Sequence, residues 1–315
     1  MNKFEKYSMS FILLICGVLY SCSDGTTCET RFIPLNDSIQ LYIARYYHDK
    51  QAAISLTFDD GTNDQYVHAV SALDARNMKG TFFITGSILS EKHLSDSNRL
   101  TYKQVKEMAE KGYEIGNHTF HHTDLTSIPL DSARKEIDLN DSLIYLLTGV
   151  APITLAFPYN ARNAEVEKIA LQHKTAVRMH EKALGQSDSH TTREDAIRWV
   201  DDIIKNKSWG VAMLHGIETG YDHWINPEDF YKLLDYINAR PEIWVGMFKD
   251  VAAYTNEEKN ATEEAVYSEN KIRGIIRTRL DTALFNHPLT IVIQVSGKQV
   301  RMVDVMPDKM FEVDI

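Results

Sequence analysis

Cysteine is almost absent: the 315 residues contain three, at positions 16, 22 and 28. All three fall in the first stretch, so the body of the chain has no disulfide framework and no thiol chemistry, and its stability must come from a buried core. Glycine and proline are scarce too, at 15 and 8 residues, and no segment is compositionally degenerate. Collagen, coiled coil and low-complexity disorder are thereby excluded. Positive charge is in deficit, 34 Lys and Arg against 44 Asp and Glu, for a net charge of -10. Such a chain has no general electrostatic reason to seek phosphate backbones, and no nucleic acid partner is expected. What is present is a 43% hydrophobic, 25% charged composition, that of a globular protein long enough for one large domain and a smaller one.

The first residues read as an address. Lys3 and Lys6 precede an apolar run over residues 9–20, too short for a spanning helix of about 20 residues but suited to the core of a signal peptide. The run ends in Leu19-Tyr20-Ser21-Cys22, which resembles a bacterial lipoprotein signal. That resemblance implies a signal peptide over residues 1–21, lipid attachment at Cys22 and an extracytoplasmic, membrane-anchored protein of the bacterial cell envelope. An ordinary secretory signal is the alternative. Residues 22–50 read as an N-terminal linker.

From about residue 50, short β-branched runs alternate with amphipathic stretches of helical period, the pattern of successive β-α units around a parallel sheet. Seven strands are predicted, at 52–58, 80–85, 113–117, 153–157, 175–179, 210–214 and 243–248, with helices near 64–76, 102–112, 130–147, 162–172, 192–205 and 227–239. A closed barrel and an open doubly wound sheet both fit. Residues 256–270 are rich in glutamate and read as an acidic connector, exposed or helical. Strand-like runs at 289–295, 299–305 and 310–315, separated by Ser296-Gly297 and Pro307-Asp308, make residues 271–315 a small antiparallel β appendage that packs on the main domain over residues 51–255.

The polar residues with chemical potential gather at the carboxyl ends of the predicted strands. Asp59 and Asp60 close the first, His118 and His122 follow the third, Pro158-Tyr159 closes the fourth, Arg178 lies near the end of the fifth and His215 ends the sixth. In parallel α/β proteins those ends meet at one face, where active sites form. Taken alone, Asp59-Asp60-Gly61 is also a common solvated turn, and both carboxylates reach one site only if the strand breaks there. His118 and His122, at i and i+4, share one face of a helical turn, from which His121 is turned away. An Asp-His-His set suits Zn²⁺ or another divalent transition metal with positions left open. His215 is a candidate general acid or a satisfied core histidine. Tyr159, Trp209, Tyr221 and Trp224 could stack on sugar rings, although core packing accounts for any one of them.

These residues together resemble the NodB-type polysaccharide deacetylases, carbohydrate esterase family 4. The likeness runs over about residues 50–255 and rests on Thr57-Phe58-Asp59-Asp60-Gly61, His118-Thr119-x-x-His122, Phe157-Pro158-Tyr159 and Leu214-His215, supported by residues 80–86 and 112–117. It implies a distorted (β/α)7-type barrel, with Asp60, His118 and His122 as metal ligands, Asp59 as general base, His215 as general acid and the Tyr159 backbone N–H as oxyanion donor. It also implies a glycan substrate carrying N-acetyl or O-acetyl groups. Many members carry an arginine two residues before the proline of the third motif, and here that position is Ala156. Arg178 is a candidate replacement that could orient the base. The family's acid-positioning aspartate is not identifiable, Asp188 being one place for it. Competing readings are a degenerate barrel that binds glycan without hydrolysis and an amidohydrolase acting on a small non-sugar amide.

Overall fold

The computed structural model describes residues 32–89 and 98–315. The expected signal peptide, Cys22 and its lipid therefore lie outside the described residues. Among the described residues no helix is long and apolar enough to cross a membrane.

Two strands precede the main sheet, β1 (Ile33–Pro34) and β2 (Ile39–Ile43). The main sheet then takes β3 (Ala52–Asp60), β4 (Thr81–Ile84), β5 (Glu114–Asn117), β6 (Thr154–Ala156), β7 (Ala176–Arg178), β8 (Lys182–Ala183), β9 (Trp209–Leu214) and β10 (Ile243–Val245). Every pairing in it is parallel, in the order β7-β6-β5-β4-β3-β9-β8, with β10 added on β3. All seven predicted strands are present, and the barrel expectation holds as a curled, incompletely closed sheet. Sequence reading missed β8, whose two residues are too few to carry a period.

The nine residues of β3 organise the sheet. Its first eight positions are buried, as a strand covered on both faces requires. One edge pairs with β9 over residues 53–58, and the other pairs with β10 over residues 52–54 and then with β4 over residues 57–60. One edge of β3 is thus shared by β10 at its start and β4 at its end, and its carboxyl end lies between β4 and β9. Helices α1 (Ser71–Asp74), α2 (Tyr102–Glu110), α3 (Leu130–Thr148), α4 (Ala164–Ala170), α5 (Arg193–Lys205), α6 (Pro227–Asn238) and α7 (Phe248–Asn260) complete the layer. Capping boxes open α2 through Thr101 with Gln104 and α5 through Thr192 with Asp195, each satisfying two otherwise orphan backbone donors. The largest buried cluster joins β3, β4 and β9 to α1, α2, α5 and α6 through Leu56, Phe58, Leu73, Val105, Val200 and Leu234. At the opposite end from the strand tips, the buried Glu114 carboxylate accepts from the Thr81 and Thr154 hydroxyls and from the Lys249 amide, which ties the start of α7 beneath the sheet.

The ends of the chain differ from expectation. Residues 256–270, read as an acidic connector, exposed or helical, form the helical last turn of α7 and then strand β11 (Thr262–Ser268). Its glutamates lie opposite β12 (Lys271–Arg277), whose Arg277 pairs with Glu264 at 3.2 Å. Charge answered across a ladder looks in the sequence like a solvated run. The linker 22–50 contributes β2, five residues in which Ile39, Leu41 and Tyr42 are buried. β2 pairs with β13 (Leu289–Val295), which pairs with β14 (Lys298–Val305), while β12 pairs with β15 (Met310–Asp314). The C-terminal strands are antiparallel, as predicted, and they enclose a second core of Leu41, Ile272, Ile276, Leu289, Ile291 and Phe311.

Glu257 of α7 is fully buried beneath these strands, with one carboxylate oxygen accepting the His287 amide at 3.1 Å and the other without a partner. Burial pushes its carboxyl up to about 8, only partly offset by the His287 amide. A raised carboxyl favours the folded state at low pH, and that contribution is lost as pH rises from the ordinary glutamate value through about 8. The thermal midpoint should therefore fall between pH 6 and pH 9. Glu257→Gln, which cannot ionise, should remove most of that fall in a pH series of calorimetric melts.

Candidate functional site

The strand tips converge on a cleft of about 460 Å³ lined by Asp59, Asp60, His118, His122, Phe157, Tyr159, Asn160, Met213, His215 and Tyr221. Six of the seven predicted site residues line it, and the seventh, Arg178, stands behind Asp59. The sequence reading passed over Asn160 and Met213. Met213 is two residues before His215 and so shares its face of β9, a period-two signal that was available. Trp209 and Trp224 are not at the cleft. Trp209 starts β9 at its far end and packs on Phe248, and Trp224 is core with no exposure.

Both carboxylates reach the site because the backbone turns left-handed where β3 ends, with φ of +77° at Asp60 and +87° at Gly61. Asp59 points inward and is 2% exposed. Its two oxygens accept from both terminal nitrogens of Arg178, at 2.7 and 2.5 Å, a bidentate fork matched to carboxylate geometry. Arg178 also donates to the Thr57 hydroxyl at 2.9 Å and lies over the Phe83 ring. Burial would push the Asp59 carboxyl up, but the charge and hydrogen bonds of Arg178 hold it below the ordinary carboxylate range. An ionised carboxylate is thus kept in place in the wall of the cleft.

The histidine pair does not sit on a helical turn, which corrects the sequence reading. It lies on a loop after β5 in which Thr119 and His122 have φ of +64° and +58°. Asn117 builds this loop, its side-chain oxygen accepting the Thr119 amide and its nitrogen donating to the Ile137 carbonyl. Left-handed loop residues carry no periodic signal. His121 does turn away, its Nδ1 lying 2.8 Å from Glu136. His118 Nδ1 donates to the Ala156 carbonyl at 2.8 Å, so Nε2 is free to act as a ligand.

The donor set fits a divalent ion. Asp60, His118 and His122 offer ligand atoms within 4.8 Å of one another, and Asp60 Oδ1 is a buried acceptor with no hydrogen-bond partner. That oxygen lies 3.5 Å from His118 Nε2 and 3.3 Å from His122 Nε2. Tetrahedral ligands about 2.1 Å from a common ion would stand about 3.4 Å apart. Across the cleft His215 is 9% exposed, its Nδ1 is buried without a partner, and its ring packs edge-on to Tyr221 at 4.8 Å. Tyr159, at φ +60°, packs in the same way on His122 at 4.7 Å.

Residues 47–177 match the family model for polysaccharide deacetylase. A 117-residue stretch is 35% identical to the peptidoglycan-N-acetylmuramic acid deacetylase PdaA of Bacillus subtilis, covering 36% of this chain and 41% of that protein. A 110-residue stretch is 33% identical to the peptidoglycan-N-acetylglucosamine deacetylase of Bacillus cereus, covering 35% of this chain and 37% of that protein. The chain thus spans about two fifths of the length of these relatives. A crystallised Mycobacterium smegmatis protein assigned to the polysaccharide deacetylases shares the fold, with a TM-score of 0.53 at 15% identity over 69% of this chain and 94% of that one.

Position 156, where the sequence resemblance leads one to look for an arginine, is alanine. Ala156 and Arg178 are register partners on the neighbouring strands β6 and β7, so the guanidinium enters from one strand further along. Asp188, weighed as the family's missing aspartate, accepts from the Ser187 hydroxyl and the Asp222 amide and does not line the cleft. Because both members of the Asp59–Arg178 pair are buried, Arg178→Ala should cost about 3–5 kcal/mol by leaving a charge unpaired. Asp59→Asn combined with Arg178→Met should recover part of that loss in urea denaturation.

Proposed function

We propose that this protein is a metal-dependent deacetylase that removes N-acetyl groups from an extracytoplasmic glycan. The observation that carries the reading is an Arg-held carboxylate beside an Asp-His-His donor set, with a histidine across the same cleft. In this reading Asp60, His118 and His122 hold the ion, and zinc suits one carboxylate and two imidazoles. A bound divalent ion lowers the pKa of water towards about 7 and polarises an acyl carbonyl.

The chain's own residues supply the rest. Asp59, oriented and kept ionised by Arg178, accepts the proton of the attacking water. The Tyr159 N–H donates to the oxyanion that develops on the former carbonyl oxygen. His215 delivers a proton to the amine as the carbon–nitrogen bond breaks, leaving acetate and a free amino sugar. The names of the relatives support a cell-wall glycan as the substrate class. With the lipoprotein-type sequence ending at Cys22, the reading is of an enzyme anchored to a membrane by lipid.

The test is acetate release from N-acetylglucosamine oligomers, peptidoglycan and acetylated xylan, before and after chelation and with zinc restored. Wild-type protein should bind one equivalent of metal and lose activity on chelation. Asp59→Asn should lower turnover by at least about 100-fold with the metal retained, and His118→Ala should lose the metal. Release from acetylated xylan alone would move the reading to O-acetyl esters. No release from any of the three by metal-loaded protein would overturn it.

A further inference from the structure

The loop that carries His215 is not held through the imidazole, whose Nδ1 has no partner. It is held through its backbone, by two side chains that follow the Asp59-Asp60-Gly61 turn. Gln65 is fully buried, and its carboxamide nitrogen donates to the Asp59 carbonyl at 2.5 Å and to the His215 carbonyl at 3.0 Å. One amide therefore bridges the main chain of the proposed base and the proposed acid. Asp64, 6% exposed, accepts three successive amides beyond His215, from Ile217 at 2.5 Å, Glu218 at 3.2 Å and Thr219 at 3.1 Å, and also the Thr219 hydroxyl.

The segment so held is a tight turn. A side chain at Gly216 would stand 2.1 Å from the Thr219 carbonyl oxygen, and the Gly216 amide donates to the carbonyl of Tyr221, whose ring packs on His215. Fixing residues 217–219 therefore fixes both the His215 backbone and the ring beside its imidazole.

Gln65 also carries a cost that points beyond stability. Its Oε1 is buried with no hydrogen-bond partner, a loss of about 1–3 kcal/mol that an apolar side chain of similar length would avoid. Its remaining service is to join two carbonyls whose residues lie on β3 and at the end of β9.

We propose that Asp64 and Gln65 are positioning residues that clamp the His215 loop to β3 and so set the placement of His215 against Asp59. This rests on the deacetylase reading for its kinetic consequence but not for the clamp itself. The experiment compares wild type, Gln65→Met and Asp64→Asn in the full-length, metal-loaded protein. Each variant should lower kcat by about 10- to 100-fold, the scale of a misplacement near 1 Å, with KM within about twofold and one equivalent of metal still bound. The limb of the pH–rate profile belonging to the proposed acid should shift in both variants, which a general loss of folded protein would not produce. Amide hydrogen exchange should accelerate over residues 216–222 in Asp64→Asn while residues 118–122 keep their wild-type protection. Unchanged kcat with an unchanged pH profile, or a loss of turnover that only parallels loss of metal and of thermal midpoint, would overturn the positioning role. If wild-type protein releases no acetate, the deacetylase reading falls, and the exchange result alone decides the clamp: acceleration confined to 216–222 upholds it and unchanged exchange removes it.

Discussion

A carboxylate sealed into the wall of a barrel must have its counter-charge within hydrogen-bond reach, and the Arg178 guanidinium meets that demand for Asp59. Much else follows from the pair. Arg178 comes from β7, and its register partner on the adjacent strand β6 is Ala156. The carbonyl of that same alanine then sets the tautomer of His118. The ion pair and the metal-competent face are therefore coupled through one residue whose side chain does no chemistry. An alanine in place of the more usual arginine looks like a loss in the sequence. In three dimensions the Arg178 guanidinium reaches Asp59 from the adjacent strand β7.

The strands of the main sheet were legible because strands buried on both faces are apolar and β-branched, and capped amphipathic helices separate them. The gathering of Asp59, Asp60, His118, His122, Tyr159 and His215 at one cleft was legible for a related reason. Parallel topology sends every strand's carboxyl end to the same face, so placement along each strand fixes placement in space. Arg178 could be named as the replacement charge by that rule, although its bidentate geometry could not.

What escaped the reading was written in shorter or less regular signals. The left-handed turns at Asp60, Thr119 and His122 carry no hydrophobic period. β2 offers only five residues, too few for a period to stand out. β11 hides its alternation under glutamates, of which Glu264 pairs with Arg277 of β12. Asp64 and Gln65 open the helix predicted near 64–76, and nothing local reveals that residues 215–219, which follow the neighbouring strand β9, come to meet them. For β2, Asp64 and Gln65 the decisive partner is remote in sequence, and local pattern cannot report it.

The pairing of β2 with β13 joins residues such as Leu41 and Ile293, 252 positions apart. During synthesis at about 5–20 residues per second, β2 waits on the order of tens of seconds for its partner. All the residues that line the cleft are made before residue 222, and the last strand of the main sheet ends at Val245. In chain order the cleft and the main sheet are thus complete before β13 begins. The β2–β13 ladder therefore closes the longest loop in that second core and carries the largest loop-closure cost of its pairings.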